Sequence, residues 1–284
     1  MNVSTTDTPL VPRWRRIAFA IVVVIAALFY LVLVGSVFSV PSPWLAEGGG
    51  GPPPGYVYPE SHRWHDAQWA AHTGILLGGS LLALFWRPMR KPLLVQYLTI
   101  AIVVFVTVTV VTDGPDNLIF LVPVALVVAL YPNRRALLDA SRPGGMYIPI
   151  LTLAVIAALL MAPDAWDKFQ IQADNPAGDE HAEHGHWGGS AFLMLNLLVA
   201  GVLTATRRPG WRVLGVIAGL AFVYLGVATL TTRDDGGRDP AGLWSTAGAA
   251  LALLAGVGYL GMTLMADQLV ARAPRLVGSP RTAE

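Results

Sequence analysis

The chain has 284 residues, of which 54% are hydrophobic and 13% are charged, and its formal net charge is +1. Soluble globular domains carry about 25% charged residues, so this composition favours a protein whose surface lies largely in lipid. The small net charge gives no basis for a nucleic-acid partner, and the absence of cysteine excludes disulfides, thiolate-bound metals and cysteine nucleophiles.

Eight stretches are predicted to be transmembrane helices, because each approaches the length of about 20 apolar residues that crosses the hydrocarbon core. They cover residues 17–39, 68–86, 93–112, 117–131, 147–163, 188–206, 212–231 and 243–266. The fourth is the shortest and contains Pro123, so a re-entrant segment is the alternative there. The sequence therefore predicts an all-α fold, a polytopic transmembrane helix bundle of about eight helices.

The basic residues indicate the orientation of this bundle. When the loops are assigned alternately from a cytoplasmic N-terminus, only four of the 19 basic residues fall outside: Arg63, Lys168, Arg233 and Arg238. This excess of arginine and lysine on one side is the positive-inside pattern. We therefore expect a multi-pass protein of the cell membrane, with cytoplasmic N- and C-termini and the lipid bilayer as a partner.

The two halves of the chain share landmarks that indicate an internal repeat. A shift of 121 positions places His65 on His186 and Arg87–Pro88 on Arg208–Pro209. We predict two tandem four-helix repeats in parallel orientation, since four spans return the chain to the same side of the membrane. The predicted segments are an N-terminal cytoplasmic segment (1–16), a first repeat (17–131) with an external loop (40–67), a cytoplasmic linker (132–146), a second repeat (147–266) with an external loop (164–187), and a cytoplasmic tail (267–284).

Histidines concentrate on or near the predicted outer face. The chain has six: His62, His65, His72, His181, His184 and His186. Asp66 and Glu183 accompany them, and imidazole with carboxylate is a common ligand set for divalent transition metals. This pattern predicts a site for Zn, Cu, Ni or Fe. Its first candidates are His65 and His186, because the repeat relates them by an axis across which they could meet.

The same histidines fit other roles. His72 lies deeper in the second span and is also a candidate axial haem ligand, although no haem motif accompanies it. Because imidazole titrates near a pKa of about 6.5, the clusters also fit a pH or ligand sensor, or an ordinary solvated loop. Inside the predicted spans, Gln96 and Asn196 are the strongly polar residues, and we expect them to hydrogen-bond between helices.

Several functions are consistent with these features. The first is a metal-binding membrane protein that serves metal handling or redox chemistry. The second is a permease for a small solute, and the third is a structural or assembly subunit that binds another membrane protein or a second copy. An enzyme with an outer histidine–carboxylate metal centre is a fourth. The chain contains no phosphate loop, dinucleotide fingerprint, catalytic-serine motif or H-E-x-x-H, so a role without catalysis is favoured.

Overall fold

The computed structural model describes residues 12–34, 36–45, 63–112, 115–139, 145–174, 180–183, 185–232 and 242–266. These residues form helices and connecting turns, and none of them lies in a β-strand. The all-α class predicted from the sequence is therefore confirmed for this part of the chain.

Among the described residues, six helices are long and apolar enough to cross a membrane, as expected of a multi-pass membrane protein. They are α1 (Arg13–Leu33), α3 (Pro92–Val111), α5 (Ile148–Asp174), α6 (His186–Ala205), α7 (Trp211–Thr231) and α8 (Thr246–Leu264). Two further helices complete the numbering, α2 at residues 63–85 and the shorter α4 (Leu118–Leu130). Each of the eight predicted spans thus corresponds to a helix, and six of these helices meet both criteria.

Helices α2 and α4 fall outside the group of six for different reasons. Helix α2 continues through Arg63–Trp69, a π-helical stretch at Ala70–Gly78, and Gly79–Phe85, but polar side chains such as Gln68 and His72 lower its mean hydropathy. Helix α4 is apolar but short, and at a rise of about 1.5 Å per residue it spans less than the hydrocarbon core.

Helix α5 extends well beyond the predicted span, which ended at residue 163. It continues through Pro163 to Asp174, so the first part of the predicted external loop 164–187 is helical. The extension buries Ala165, Lys168 and Gln172, which recur at helical spacing. A sequence search for apolar runs misses this part, because the buried face of the extension includes polar side chains.

The helices pack in a reciprocal order. We call residues 12–139 the first half and residues 145–266 the second half. In the first half α1 contacts α2 and α4, and in the second half α5 contacts α6 and α8. Between the halves, α2 packs on α7 while α6 packs on α3. The buried core therefore includes the second and third helices of both halves.

The bundle has two distinct ends. The N-termini of α2 and α6 lie together at what we call the histidine end. At the opposite end, which we call the arginine end, the turns that precede α3 and α7 touch each other. The Leu93 amide donates a hydrogen bond to the Pro209 carbonyl oxygen at 3.2 Å, and Gly210, with φ of 102°, lies against Lys91.

Helices α7 and α8 approach closely because glycines line their contact. A Cβ on Gly226 would stand 2.8 Å from the Ala249 carbonyl oxygen, and a Cβ on Gly256 would stand 2.6 Å from the Val223 amide nitrogen. These separations are too short for any larger side chain, so the two backbones pack directly on each other.

Candidate functional site

The histidine end brings two imidazoles from different halves into contact. His65 lies near the start of α2, and His186 is the first residue of α6. Their ring centroids are 3.9 Å apart, with the ring planes inclined by 43°. His65 is buried and His186 is half-buried. The structure thus places side by side the two histidines that the 121-residue shift relates.

Indole rings surround this imidazole pair. The Trp64 ring centroid is 3.4 Å from that of His65, 5.5 Å from that of Trp187 and 5.8 Å from that of Trp244. The buried Lys168 ammonium stands 4.4 Å from the centre of the Trp187 ring, within cation–π range. The His65 ring is therefore packed against Trp64, which in turn contacts two further indoles.

Polar side chains continue from the pair into the bundle. The Ser190 hydroxyl donates to the Gln68 Oε1 atom at 2.8 Å, which links α6 to α2. Farther along α2, the His72 ring packs 4.2 Å from the Phe192 ring. Within the described part of the chain, the buried His72 Nε2 atom has no hydrogen-bond partner. His72 lies in the π-helical stretch Ala70–Gly78, a form that is frequent at functional sites.

The second external loop is held beside His186 by one glutamine. Gln172 of α5 donates to the Ala182 carbonyl oxygen at 2.7 Å and accepts from the Gly188 amide at 3.0 Å. These bonds hold the short helix Glu180–Glu183 next to the start of α6. Glu183 itself is exposed.

The remaining candidate ligands are placed only in part. Asp66 accepts a hydrogen bond from the Ser42 hydroxyl. His62 and His184 lie outside the described residues, as does the side chain of His181. Among the side chains that the structure does describe, no three histidine, aspartate or glutamate residues are grouped closely enough to hold a metal ion.

Gln96 and Asn196 both use their amide groups on the backbone. Gln96 Nε2 donates to the carbonyl oxygens of Ala136 at 2.7 Å and Leu137 at 3.1 Å, near the arginine end. Asn196 Nδ2 donates to the Phe192 carbonyl oxygen of its own helix at 2.9 Å. Gln96 therefore joins α3 to the short helix Arg135–Leu138 that follows α4, and Asn196 makes a bond within its own helix rather than between helices.

Sequence patterns did not single out Gln172, Ser190 or Lys168. Ser190 follows His186 by four residues, so helical spacing is the one signal that places it below the imidazole pair. Gln172 and Lys168 fall in a segment that was predicted to be a loop. Their place on a helix was therefore not expected. No helical spacing in the sequence identifies the residues that they contact: Ala182 and Gly188 for Gln172, and Trp187 for Lys168.

No protein-family model, curated protein or solved structure matches the chain. The case for a function therefore depends on the geometry of the histidine end.

Proposed function

We propose that the protein is a multi-pass membrane protein that binds a divalent transition metal at its outer face, with His65 and His186 as ligands from the two halves. The contact between their rings, with centroids 3.9 Å apart, is the observation that supports this proposal. Histidine nitrogens bind zinc at about 2.0–2.1 Å, so two of them on one ion lie within about 4.2 Å of each other. That limit applies to the two nitrogens; ring centroids 3.9 Å apart show that the imidazoles are in contact, and binding one ion requires the rings to turn so that a nitrogen of each points at it.

The rest of the coordination shell would come from the two external loops. Zinc sites use three or four protein ligands, and imidazole with carboxylate but no thiolate suits Zn, Cu(II), Ni or Fe. Gln172 holds the second loop beside His186, which favours His181, Glu183 and His184 as further ligands. His62 and Asp66 are the candidates from the first loop. Haem bound by His72 has less support, because the second-half histidines lie at 181, 184 and 186, nearer the end of the bundle.

The same proposal includes eight transmembrane helices in two four-helix repeats. Residues close to a twofold axis contact their own equivalents, as His65 and His186 do at the histidine end. The turns that follow α2 and α6 contact each other at the arginine end. Each contains an arginine with left-handed backbone, φ being 51° at Arg87 and 54° at Arg207, and Arg207 stands one position before the residue that the 121-residue shift relates to Arg87. The reciprocal packing of α2 on α7 and of α6 on α3 gives the same support.

The arginine end faces the cytoplasm in this proposal, because basic residues accumulate on the inner side of membrane proteins. The absence of cysteine makes a direct test simple. In intact cells, a single cysteine at the exposed Glu183 should react with a membrane-impermeant maleimide, whereas one at the exposed Arg134 should react only after lysis. The reverse pattern would place the histidines in the cytoplasm.

The metal proposal is tested with variants that keep an aromatic ring. Zinc bound to detergent-purified protein is measured by elemental analysis after dialysis, at pH 7.5 and at pH 5. We expect stoichiometric zinc at the higher pH and release at the lower, since protons compete with the metal for the imidazole nitrogens. His65→Phe and His186→Phe should each weaken binding, and the double variant should retain only traces.

The matched control is His72→Phe, which changes a histidine of the same helix away from the proposed site and should retain its zinc. Trace zinc in the unaltered protein at the higher pH would contradict the proposal. Full zinc in the His65→Phe/His186→Phe double variant would contradict it as well.

A further inference from the structure

A second feature lies in the second half, on the side of the bundle rather than at its end. An apolar groove with a volume of about 420 Å³ opens between α5 and α8, and Phe222 of α7 contributes to its wall. This is within the size of known small-molecule sites, about 300–1,000 Å³. Ser245 is the polar side chain in the lining, and its hydroxyl is engaged in capping α8, where it accepts from the Gly248 amide at 2.9 Å.

The groove is closed along the helices in both directions. Toward the histidine end, the Leu243 amide of the segment before α8 donates to the Asp164 carboxylate of α5 at 3.2 Å. Toward the arginine end, the Leu153 side chain lies 3.0 Å from the position that a Cβ of Gly258 would take. From Leu153 to Asp164, α5 rises about 16 Å at about 1.5 Å per residue.

The length of the groove indicates what kind of molecule it can bind. It is about half of the roughly 30 Å hydrocarbon core, which is the depth that the acyl chain of one leaflet occupies. A partner helix is about 10–12 Å wide with its side chains and would need a groove that stays open along its axis. The closed ends therefore favour a single flexible chain.

The equivalent position in the first half shows that the opening is not a requirement of this helix arrangement. There, the seam between α1 and α4 is filled by rings. Phe19 packs on Tyr131 with centroids 5.6 Å apart, and the Tyr30 hydroxyl bonds to the Phe120 carbonyl oxygen. In the second half, the corresponding seam leaves Leu160 and Leu254 at 48% and 68% exposure.

Charge beside the groove, at its end nearest the histidines, indicates the headgroup. Asp164 and Asp167 continue the stripe of α5 that lines the groove, four and seven residues beyond Leu160. Asp167 is exposed, whereas the neighbouring Lys168 is turned toward Trp187. Two carboxylates at this level complement a positively charged headgroup.

We propose that this groove binds one acyl chain of an outer-leaflet phospholipid whose headgroup carries an amine, with Asp164 and Asp167 facing the ammonium group. The inference rests on the membrane placement and orientation proposed above, but not on the metal site. Phosphatidylethanolamine is the lipid class that combines these features.

The test is native mass spectrometry of the full chain in detergent with added lipid. Phosphatidylethanolamine should bind the unaltered protein in preference to phosphatidylglycerol with the same acyl chains. Ala255→Phe places a ring in the groove, as the first half does, and should reduce phosphatidylethanolamine binding by about tenfold, the effect of losing roughly two methylene contacts. Val257→Phe adds the same ring on α8 at a position that does not line the groove and should leave lipid binding unchanged. Asp167→Asn should retain binding but reduce the preference for the amine headgroup.

Several results would overturn the proposal. Equal lipid binding by the unaltered protein and Ala255→Phe would show that the chain lies elsewhere. Equal binding of the two lipids by the unaltered protein would exclude the headgroup assignment. A dimer that Ala255→Phe converts to a monomer would assign the groove to a second copy of the chain. Protein that stays monodisperse without detergent would contradict the membrane placement itself, a result distinct from all of these.

Discussion

The two halves of the bundle place their four helices in the same order but pack them with different side chains. In the first half, large rings fill the seam between the first and fourth helices, with Phe19 buried against Tyr131. In the second half, the third and fourth helices meet through glycines, with Gly226 and Gly256 at backbone contact. One half thus depends on bulky side chains, and the other depends on their absence.

This difference explains why the groove lies where it does. Glycine contacts draw α8 against α7, and the small residues of α8 that face α5 do not fill the space on that side. In the first half, α4 remains against α1 because aromatic rings bridge the two helices. Close packing at one seam therefore leaves an opening at the next, and this opening is the groove proposed to bind a lipid.

The largest effect is expected at the aromatic seam. Phe19→Ala removes a ring that is 1% exposed and should lower the free energy of unfolding by about 3–5 kcal/mol. Thermal unfolding in detergent, followed by circular dichroism, measures the change. Ile21→Ala is the control, because Ile21 lies on the same helix but is 54% exposed. Equal destabilisation by both variants would mean that the rings do not hold this seam together.

A smaller loss is expected at the glycine contact. Gly256→Ala places a methyl group 2.6 Å from the Val223 amide nitrogen and should cost about 1–3 kcal/mol, since the backbones must separate. Gly261→Ala is the matched control, because nothing lies within 4 Å of its added Cβ and alanine favours helix. The same unfolding measurement compares them. A stability for Gly256→Ala at or above that of Gly261→Ala would refute close α7–α8 packing.

The sequence predicts the helices of this protein better than it predicts their ends or their partners. Hydropathy locates α3, α6, α7 and α8 to within a few residues, because lipid-exposed and buried positions are both apolar in a membrane helix. It ends α5 near Pro163 rather than at Asp174, because the last turns bury Lys168 and Gln172 instead of apolar residues. The π-helical stretch of α2 has no sequence pattern that would reveal it.

The candidate site was likewise predictable from the sequence only in part. The predicted repeat relates His65 to His186, and contact between them is expected if both lie near the predicted axis. The enclosing rings of Trp64, Trp187 and Trp244 depend on how three separate helical segments converge, which spacing along one chain does not specify. The role of Gln172 likewise depends on a backbone carbonyl, and every residue has one.

The smallest expected effect on stability comes from a glutamine in each half that holds a loop. Gln96 bonds the segment after α4 at the arginine end, and Gln172 bonds Glu180–Glu183 at the histidine end. Replacing either by leucine should lower the free energy of unfolding by about 1 kcal/mol, the usual net value of such hydrogen bonds. Hydrogen exchange should speed up locally in each case, around Ala136 in Gln96→Leu and around Ala182 in Gln172→Leu.

The two glutamine variants should nevertheless differ in metal binding. If the second loop supplies ligands beside His186, releasing it with Gln172→Leu should weaken zinc affinity by about 10–100-fold, as the loss of supporting contacts does at other metal sites. Gln96→Leu acts at the opposite end and should leave zinc affinity unchanged, although it destabilises the protein to a similar degree. Competition with a zinc chelator measures both affinities. Equal weakening in the two variants would mean that zinc binding follows overall stability, and no change in either would exclude the second loop from the site.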